Sequence, residues 1–253
     1  MSRLLCFDTS TERLAIAVSV DGRTFTYEGE GGAQASTQLL PQAFALLQRS
    51  GIALKDVDAI AYGRGPGAFT GLRTACSVAQ GLAFGADKPV IGVDSLMLVA
   101  ESARAGLDAA PTTAVWVAMD ARMDEIYAAA YAPLPQAGAW RVLTAPALYG
   151  LDAFHAMWAS DGSAGCAVVG SALAAFGDRL SLPGAVPVAA DARPDARARA
   201  LASLARVLWC EGAGGDAASA LPLYVRNQVA QTTAERAAVK AAAARAAAAR
   251  DSL

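Results

Sequence analysis

A chain of 253 residues that is 55% hydrophobic and 17% charged can bury a proper core, which excludes a wholly disordered protein. Its net charge of −2 excludes the broad basic field that unaided nucleic-acid binding requires. One histidine, His155, excludes multi-histidine metal centres. Four scattered cysteines, Cys6, Cys76, Cys166 and Cys210, contain no C-x-x-C pair and fit reduced, buried thiols better than a disulfide framework.

The N-terminus meets Asp8 before a secretory core could form, and the apolar runs are short and interrupted. The expectation is a soluble, cytoplasmic chain with no membrane partner. Leu4 to Asp8 reads as a buried strand. Leu14 to Val20 and Thr24 to Glu28 read as a hairpin turned by Asp21-Gly22. Between the first two strands lies Asp8-Thr9-Ser10-Thr11-Glu12. An acid ending a strand, followed by hydroxyls, suits metal-bound phosphate in actin-like and sugar-kinase-like ATPases. The same residues are also ordinary turn formers. After a glycine-rich loop from Glu28 to Ala35, Ser36 to Ser50 reads as a helix stopped by Gly51. Leu39, Leu40, Ala43, Leu46 and Leu47 share one of its faces. Pro41 implies that this helix starts late or bends.

A strand over Val57 to Tyr62 leads into Gly63-Arg64-Gly65-Pro66-Gly67-Ala68-Phe69-Thr70-Gly71-Leu72-Arg73. Thr70 is the expected cap of the following helix, and Arg64 and Arg73 flank an anion site at its first N–H groups. The loop holds neither the lysine of a Walker motif nor the last glycine of a dinucleotide fingerprint. Gly71, Ala75, Ala79 and Ala83 form a ridge of small residues that suits close helix packing, within the domain or across subunits. Val90 to Val93 is a strand, and Asp94 or Ser95 caps a helix to about Arg104. Gly106 to Pro111 is the expected boundary, giving segments 1–106, 107–221 and 222–253.

In the second half, Ala114 to Met119 and Ile126 to Tyr131 are strands around a turn at Asp120 to Glu125. Ala132 to Pro146 is loop and edge strand. Leu151 to Ala159 is a helix, Cys166 to Val169 a strand and Asp195 to Glu211 a long amphipathic helix. An actin-like kinase needs a second acid-glycine hairpin, yet Asp120-Ala121-Arg122 has no glycine, and alanine and arginine take positive φ at a cost. Ala234 to Arg250 is an alanine-dominated helix, expected to be a solvated tail. No G-x-S-x-G elbow accompanies His155, so a peptidase is the weakest reading.

Phe7-Asp8-Thr9-Ser10-Thr11, Leu39-Leu40-Pro41, the Gly63–Arg73 stretch, Gln80-Gly81-Leu82-Ala83, Asp120-Ala121-Arg122-Met123 and Leu223-Tyr224-Val225-Arg226 together resemble the TsaB (YeaZ) family of tRNA threonylcarbamoyladenosine synthesis. The resemblance covers the chain to about Ala230. It implies an α/β, actin-like ATPase (ribonuclease H-like) fold of two related lobes, the second reduced. It also implies a non-catalytic scaffold that pairs with a TsaD-type subunit and a TsaE-type ATPase. It further implies a homodimer where the partner is absent, and contact with tRNA through the complex. No catalytic or metal-ligating residue is expected, and no intrinsic cofactor; ATP or ADP and magnesium enter at the level of the complex. If a nucleotide or anion is held, the candidates are Asp8, Thr9, Ser10, Arg64, Gly65, Gly67, Thr70 and Arg73. The partner surface maps to Leu39, Leu40, Ala43, Leu46, Leu47, Gly71, Ala75, Ala79 and Leu82, so a bulky residue at Ala75 or Ala79 is expected to block pairing. Ala35-Ser36 stands where the family often has His-Ser. The alternative is an actin-like small-molecule kinase or ATPase.

Overall fold

Strand β1 (Leu4–Asp8) is buried on both faces, Leu5 and Phe7 pointing into one core and Leu4 and Cys6 into another. The structure is a computed structural model and describes residues 2–107, 114–160, 165–189 and 193–226. β1 lies at the centre of a sheet with β2 (Arg13–Val20), β3 (Arg23–Glu30), β4 (Ala59–Gly65) and β5 (Val90–Asp94), in the order β3-β2-β1-β4-β5. β1, β2 and β3 are antiparallel, whereas β4 and β5 run parallel to β1. Asp21 and Gly22, at φ of 49° and 82°, make the expected tight hairpin.

Helices α1 (Ala35–Ser50) and α2 (Phe69–Ala86) cover one face of this sheet. α1 ends at Gly51, whose φ of 77° only glycine adopts cheaply, and its carbonyls of Gln48 and Leu47 receive Gly51 N–H and Ile52 N–H. Pro41 lies inside α1, so the helix does not start late as the sequence allowed. The expected strand over Val57 to Tyr62 shifts to Ala59–Gly65. Gly63 and Gly65 continue the ladder to Val93 and Asp94 around a bulge at Arg64, so the first three residues of the glycine stretch are strand and not turn. The cap of α2 is Ala68 with no side-chain hydrogen bond, which corrects the assignment to Thr70.

The second sheet repeats the connectivity. β6 (Val115–Asp120), β7 (Glu125–Pro133) and β8 (Trp140–Gly150) form an antiparallel meander. β9 (Ala167–Val169) runs parallel to β6, and β10 (Val186–Pro187) parallel to β9, in the order β10-β9-β6-β7-β8. This is the expected duplicated, actin-like arrangement, with its last two strands cut to three and two residues. The turn from β6 to β7 contradicts the steric expectation. Arg122, Met123 and Asp124 all take positive φ, at 63°, 58° and 58°. Asp120 Oδ1 accepts from Arg122 N–H at 2.8 Å, and the β6–β7 ladder on either side fixes the turn.

Helices α3 (Ser95–Ser102), α4 (Arg104–Leu107) and α7 (Ala196–Cys210) sit between the sheets. α3 meets both cores, and α7 packs on the first sheet although it follows the second in sequence. α5 (Leu151–Ser160) and α6 (Ala172–Phe176) close the outer face of the second sheet around Trp116. The described residues up to Leu223 form one compact unit. The alanine-rich helix expected over 234–250 lies outside the described residues.

Asp94 caps α3 by accepting from Leu96 and Met97 N–H and takes a further hydrogen bond from Tyr131. Buried Glu101 binds the β7–β8 hairpin to α3 by accepting from Arg104 Nε at 2.6 Å, Trp140 Nε1 at 2.7 Å and Gly138 N–H at 2.9 Å. Glu101→Ala would strand these donors. A loss of about 3–5 kcal/mol of unfolding free energy is expected in urea titration, whereas Glu101→Gln, which keeps one acceptor, should lose less.

Candidate functional site

Asp8 ends β1 with its carboxylate fully buried, and its two oxygens are held by three side chains. Arg197, on the first turn of α7, donates to Asp8 Oδ2 from Nη2 at 2.8 Å and from Nε at 3.2 Å. Ser10 Oγ donates to the same oxygen at 3.0 Å, and Ser95 Oγ donates to Oδ1 at 3.3 Å. Arg197 Nη2 also reaches Ser10 Oγ at 3.2 Å, and Gly65 N–H donates to Ser95 Oγ at 3.0 Å. Arg197 is itself 3% exposed. A buried carboxylate survives only when paired and hydrogen-bonded, and both conditions hold here.

Glu28 places Arg197. Its Oε1 accepts from Ala198 N–H at 2.9 Å, so a residue of β3 caps α7 where Asp195 makes no cap bond of its own. A carboxylate at a helix N-terminus is also favoured by the helix dipole. Glu28 Oε2 accepts from Arg13 at 2.7 Å.

The glycine stretch fits against the Asp8 turn with no room between them. A Cβ at Gly63 would overlap Asp8 Oδ1, one at Gly67 would overlap Ser10 O, and one at Gly71 would overlap Thr9 O. Thr9 Oγ1 donates to Gly71 O at 2.7 Å, and Ala68 N–H donates to Ser10 O at 2.8 Å. Asp8, Thr9, Ser10, Gly65 and Gly67 are therefore brought together around this turn. Thr70 is exposed on the first turn of α2. Arg73 lies on that helix with its guanidinium 3.8 Å above the Phe69 ring. Arg64 is exposed with its stem against Gly92, so the two arginines do not converge. Across the mouth, Arg122 pairs with Asp120 at 3.2 Å and with Glu12 at 3.6 Å, joining the two turns.

Arg197 went unread in the sequence, Ser95 was seen only as a cap, and Glu28 only as a strand end. Arg197 could have been found by periodicity, because Leu201, Leu204 and Ala205 follow it at four, seven and eight residues, which puts a cation on the apolar face. Among the described residues no group of three or more His, Cys, Asp or Glu could hold a metal, and no helix is long and apolar enough to cross a membrane. Burial pushes the Cys6 thiol up to about 12 and Cys76 to about 11, which makes both poor nucleophiles. His155 lies on α5, outside this network.

Most residues of the expected partner surface lie inside the fold of the single chain. Leu39, Ala43, Leu46, Leu47, Gly71, Ala75 and Ala79 are buried in the chain's own core, because α1 and α2 turn their apolar and small-residue faces onto the sheet. Leu40 is exposed and Leu82 half-buried. The outward faces carry Leu40, Phe44, Phe69 and Phe84, the last 86% exposed. A tryptophan at Ala79 would therefore overpack the core and would not report on pairing.

The family model of TsaD, tRNA N6-adenosine threonylcarbamoyltransferase, matches residues 32–139. The chain is 43% identical over 129 residues to the tRNA threonylcarbamoyladenosine biosynthesis protein TsaB of Escherichia coli strain K12, covering 51% of this chain and 54% of that one. It is 43% identical over 125 residues to the Haemophilus influenzae protein of the same name, covering 49% and 51%. The chain thus spans about half the length of the curated relatives it matches. The solved structure of YeaZ from Pseudomonas aeruginosa aligns with a TM-score of 0.74 at 35% identity, over 88% of this chain and 100% of that one.

Removing one member of the buried pair should cost more than removing both. Arg197→Met and Asp8→Asn are each expected to lose about 3–5 kcal/mol in chemical unfolding, with the double variant recovering part of it, since each single change leaves a buried group uncompensated. Gly63→Ala should lose a comparable amount, because its methyl group displaces the Asp8 carboxylate.

Proposed function

This chain belongs to the TsaB/YeaZ family, and from that premise we propose that it is a non-catalytic scaffold for forming threonylcarbamoyladenosine at the adenosine beside the tRNA anticodon. The observation that carries the reading is the filling of the Asp8 site. In an actin-like ATPase, an acid and hydroxyls at this strand end hold metal-bound phosphate. Here the carboxylate meets the guanidinium of Arg197 and the hydroxyls of Ser10 and Ser95. A metal-nucleotide would have to expel Arg197, breaking a buried pair worth about 3–5 kcal/mol when one partner is lost. The chemistry is then left to a TsaD-type subunit, with a TsaE-type ATPase supplying hydrolysis. ATP or ADP, magnesium and tRNA are met only by the assembled complex.

The partner sits on the outward faces of α1 and α2. Leu40, Phe44, Phe69 and Phe84 are large apolar side chains left in water, and aromatic anchors dominate interface energetics. Without the TsaD-type subunit, a second copy of this chain covers the same faces.

Phe44→Asp and Phe84→Asp should each weaken co-purification with the TsaD-type subunit by at least about thirtyfold, the loss of one anchor of about 2 kcal/mol. Because both side chains are exposed, the unfolding midpoint should stay within a few degrees of the parent. In reconstitution, tRNA modification should vanish when this chain is omitted, and full modification without it would overturn the scaffold reading. Metal-dependent ATP turnover by the purified chain would favour the kinase or ATPase alternative.

A further inference from the structure

The edge of the first sheet carries a cavity that the scaffold reading does not use. Strand β5 is terminal in that sheet, and residues 213–223 run beside it where another strand would otherwise pair. Several hydrogen bonds fix that segment, Gln80 Nε2 donating to Ala220 O at 3.0 Å among them. Val90 and Gly215 exchange both backbone hydrogen bonds at 2.9 Å, Tyr62 hydroxyl donates to Leu221 O at 3.3 Å, and Leu223 N–H donates to Arg64 O at 2.7 Å. These contacts frame a cavity of about 500 Å³.

Its wall is chemically uneven. Val90, Leu208, Leu221 and Pro222 supply apolar surface, and Arg64 supplies a cation. Among the described residues no carboxylate pairs with the Arg64 guanidinium. Asp94, the acid that feels its charge, has its oxygens taken by Leu96 N–H, Met97 N–H and the Tyr131 hydroxyl. The Arg64 stem is laid over Gly92, where a Cβ would come within 2.9 Å of Arg64 Cδ, so the glycine makes room for that orientation. Gly92 contributes again through its backbone. Val90 spends its outward N–H and C=O on Gly215, and strand alternation turns the same groups of Gly92 outward, onto the cavity wall, with no strand beside them among the described residues. The cavity thus offers one planar cation and one strand-edge N–H next to an apolar pocket. Tyr62 adds no charge, since burial pushes its hydroxyl up to about 12 and its proton is committed to Leu221 O.

We infer that this cavity binds a small organic monocarboxylate, its carboxylate held by Arg64 and the Gly92 N–H and its hydrocarbon body against Leu208, Leu221 and Pro222. A guanidinium presents parallel N–H donors that match a carboxylate. A single cation neutralises a single negative charge and leaves half of a phosphate dianion's charge uncompensated. The inference is independent of the scaffold reading, because none of these residues belongs to the Asp8 network or to the outward faces of α1 and α2.

The test is calorimetric titration of the purified full-length chain at constant ionic strength, with 4-methylpentanoate, 4-methylpentanamide and inorganic phosphate as probes. Saturable binding of 4-methylpentanoate is expected, at least about tenfold tighter than the amide or phosphate, the worth of one charge-assisted pair. Arg64→Gln, a change at an exposed side chain, should reduce carboxylate affinity by at least the same factor while its thermal midpoint without probe stays close to the parent's. No saturable binding, equal binding of the amide, preference for phosphate, or carboxylate binding unaltered in Arg64→Gln would each overturn the inference.

Discussion

Everything in the first lobe is arranged around the buried pairing of Asp8 with Arg197. A carboxylate at the end of a central strand, with no water to solvate it, has to find a cation and hydroxyl donors within the fold. Arg197 reaches it from a helix that comes 189 residues later, and Ser95 reaches it from the helix after β5. The pair therefore ties β1 to α3 and α7, and it closes the first lobe only after the chain has built the second sheet and returned. Glu28 completes the closure by capping α7 from β3.

The glycines gain their meaning from the same constraint. Gly63, Gly67 and Gly71 are small because the Asp8 turn presses on them, backbone to backbone and carboxylate to backbone. In a phosphate loop, glycines let the backbone approach a ligand. Here they let it approach another part of the chain, the Asp8 turn, whose carboxylate is held by Arg197, Ser10 and Ser95. The scaffold proposal follows from that substitution. On that proposal the chain's own side chains occupy the cleft, and the exposed apolar side chains of α1 and α2 are the surface left to act.

Much of this was legible in the sequence. Local patterns locate β1, the Asp21-Gly22 hairpin, α1 with its Gly51 stop and a cap at Asp94 or Ser95, of which the structure uses Asp94, because each depends on neighbours a few residues away. The readings that failed turned on distant contacts. The resemblance puts the partner face on Leu39, Ala43, Ala75 and Ala79, and their amphipathic spacing marks a buried face without saying whether sheet or subunit buries it. Thr70 looked like a cap until the strand ladder ran on through Gly65 and moved the start of α2. The turn at Arg122 to Asp124 takes a conformation that its residues disfavour, held by strands on both sides.

The sequence by itself determined the class of fold, the order of its elements and the family, since strand runs, helix periods and a dense glycine motif are local records. Tertiary structure alone decided that Asp8 is spent on Arg197, that the small-residue ridge of α2 faces inward, and that Arg64 lines a cavity at the edge of β5. Each of those outcomes depends on which distant segment arrives beside a residue. Residue types and spacing set what a side chain can do, and the geometry of the packed chain selects which of those possibilities is used.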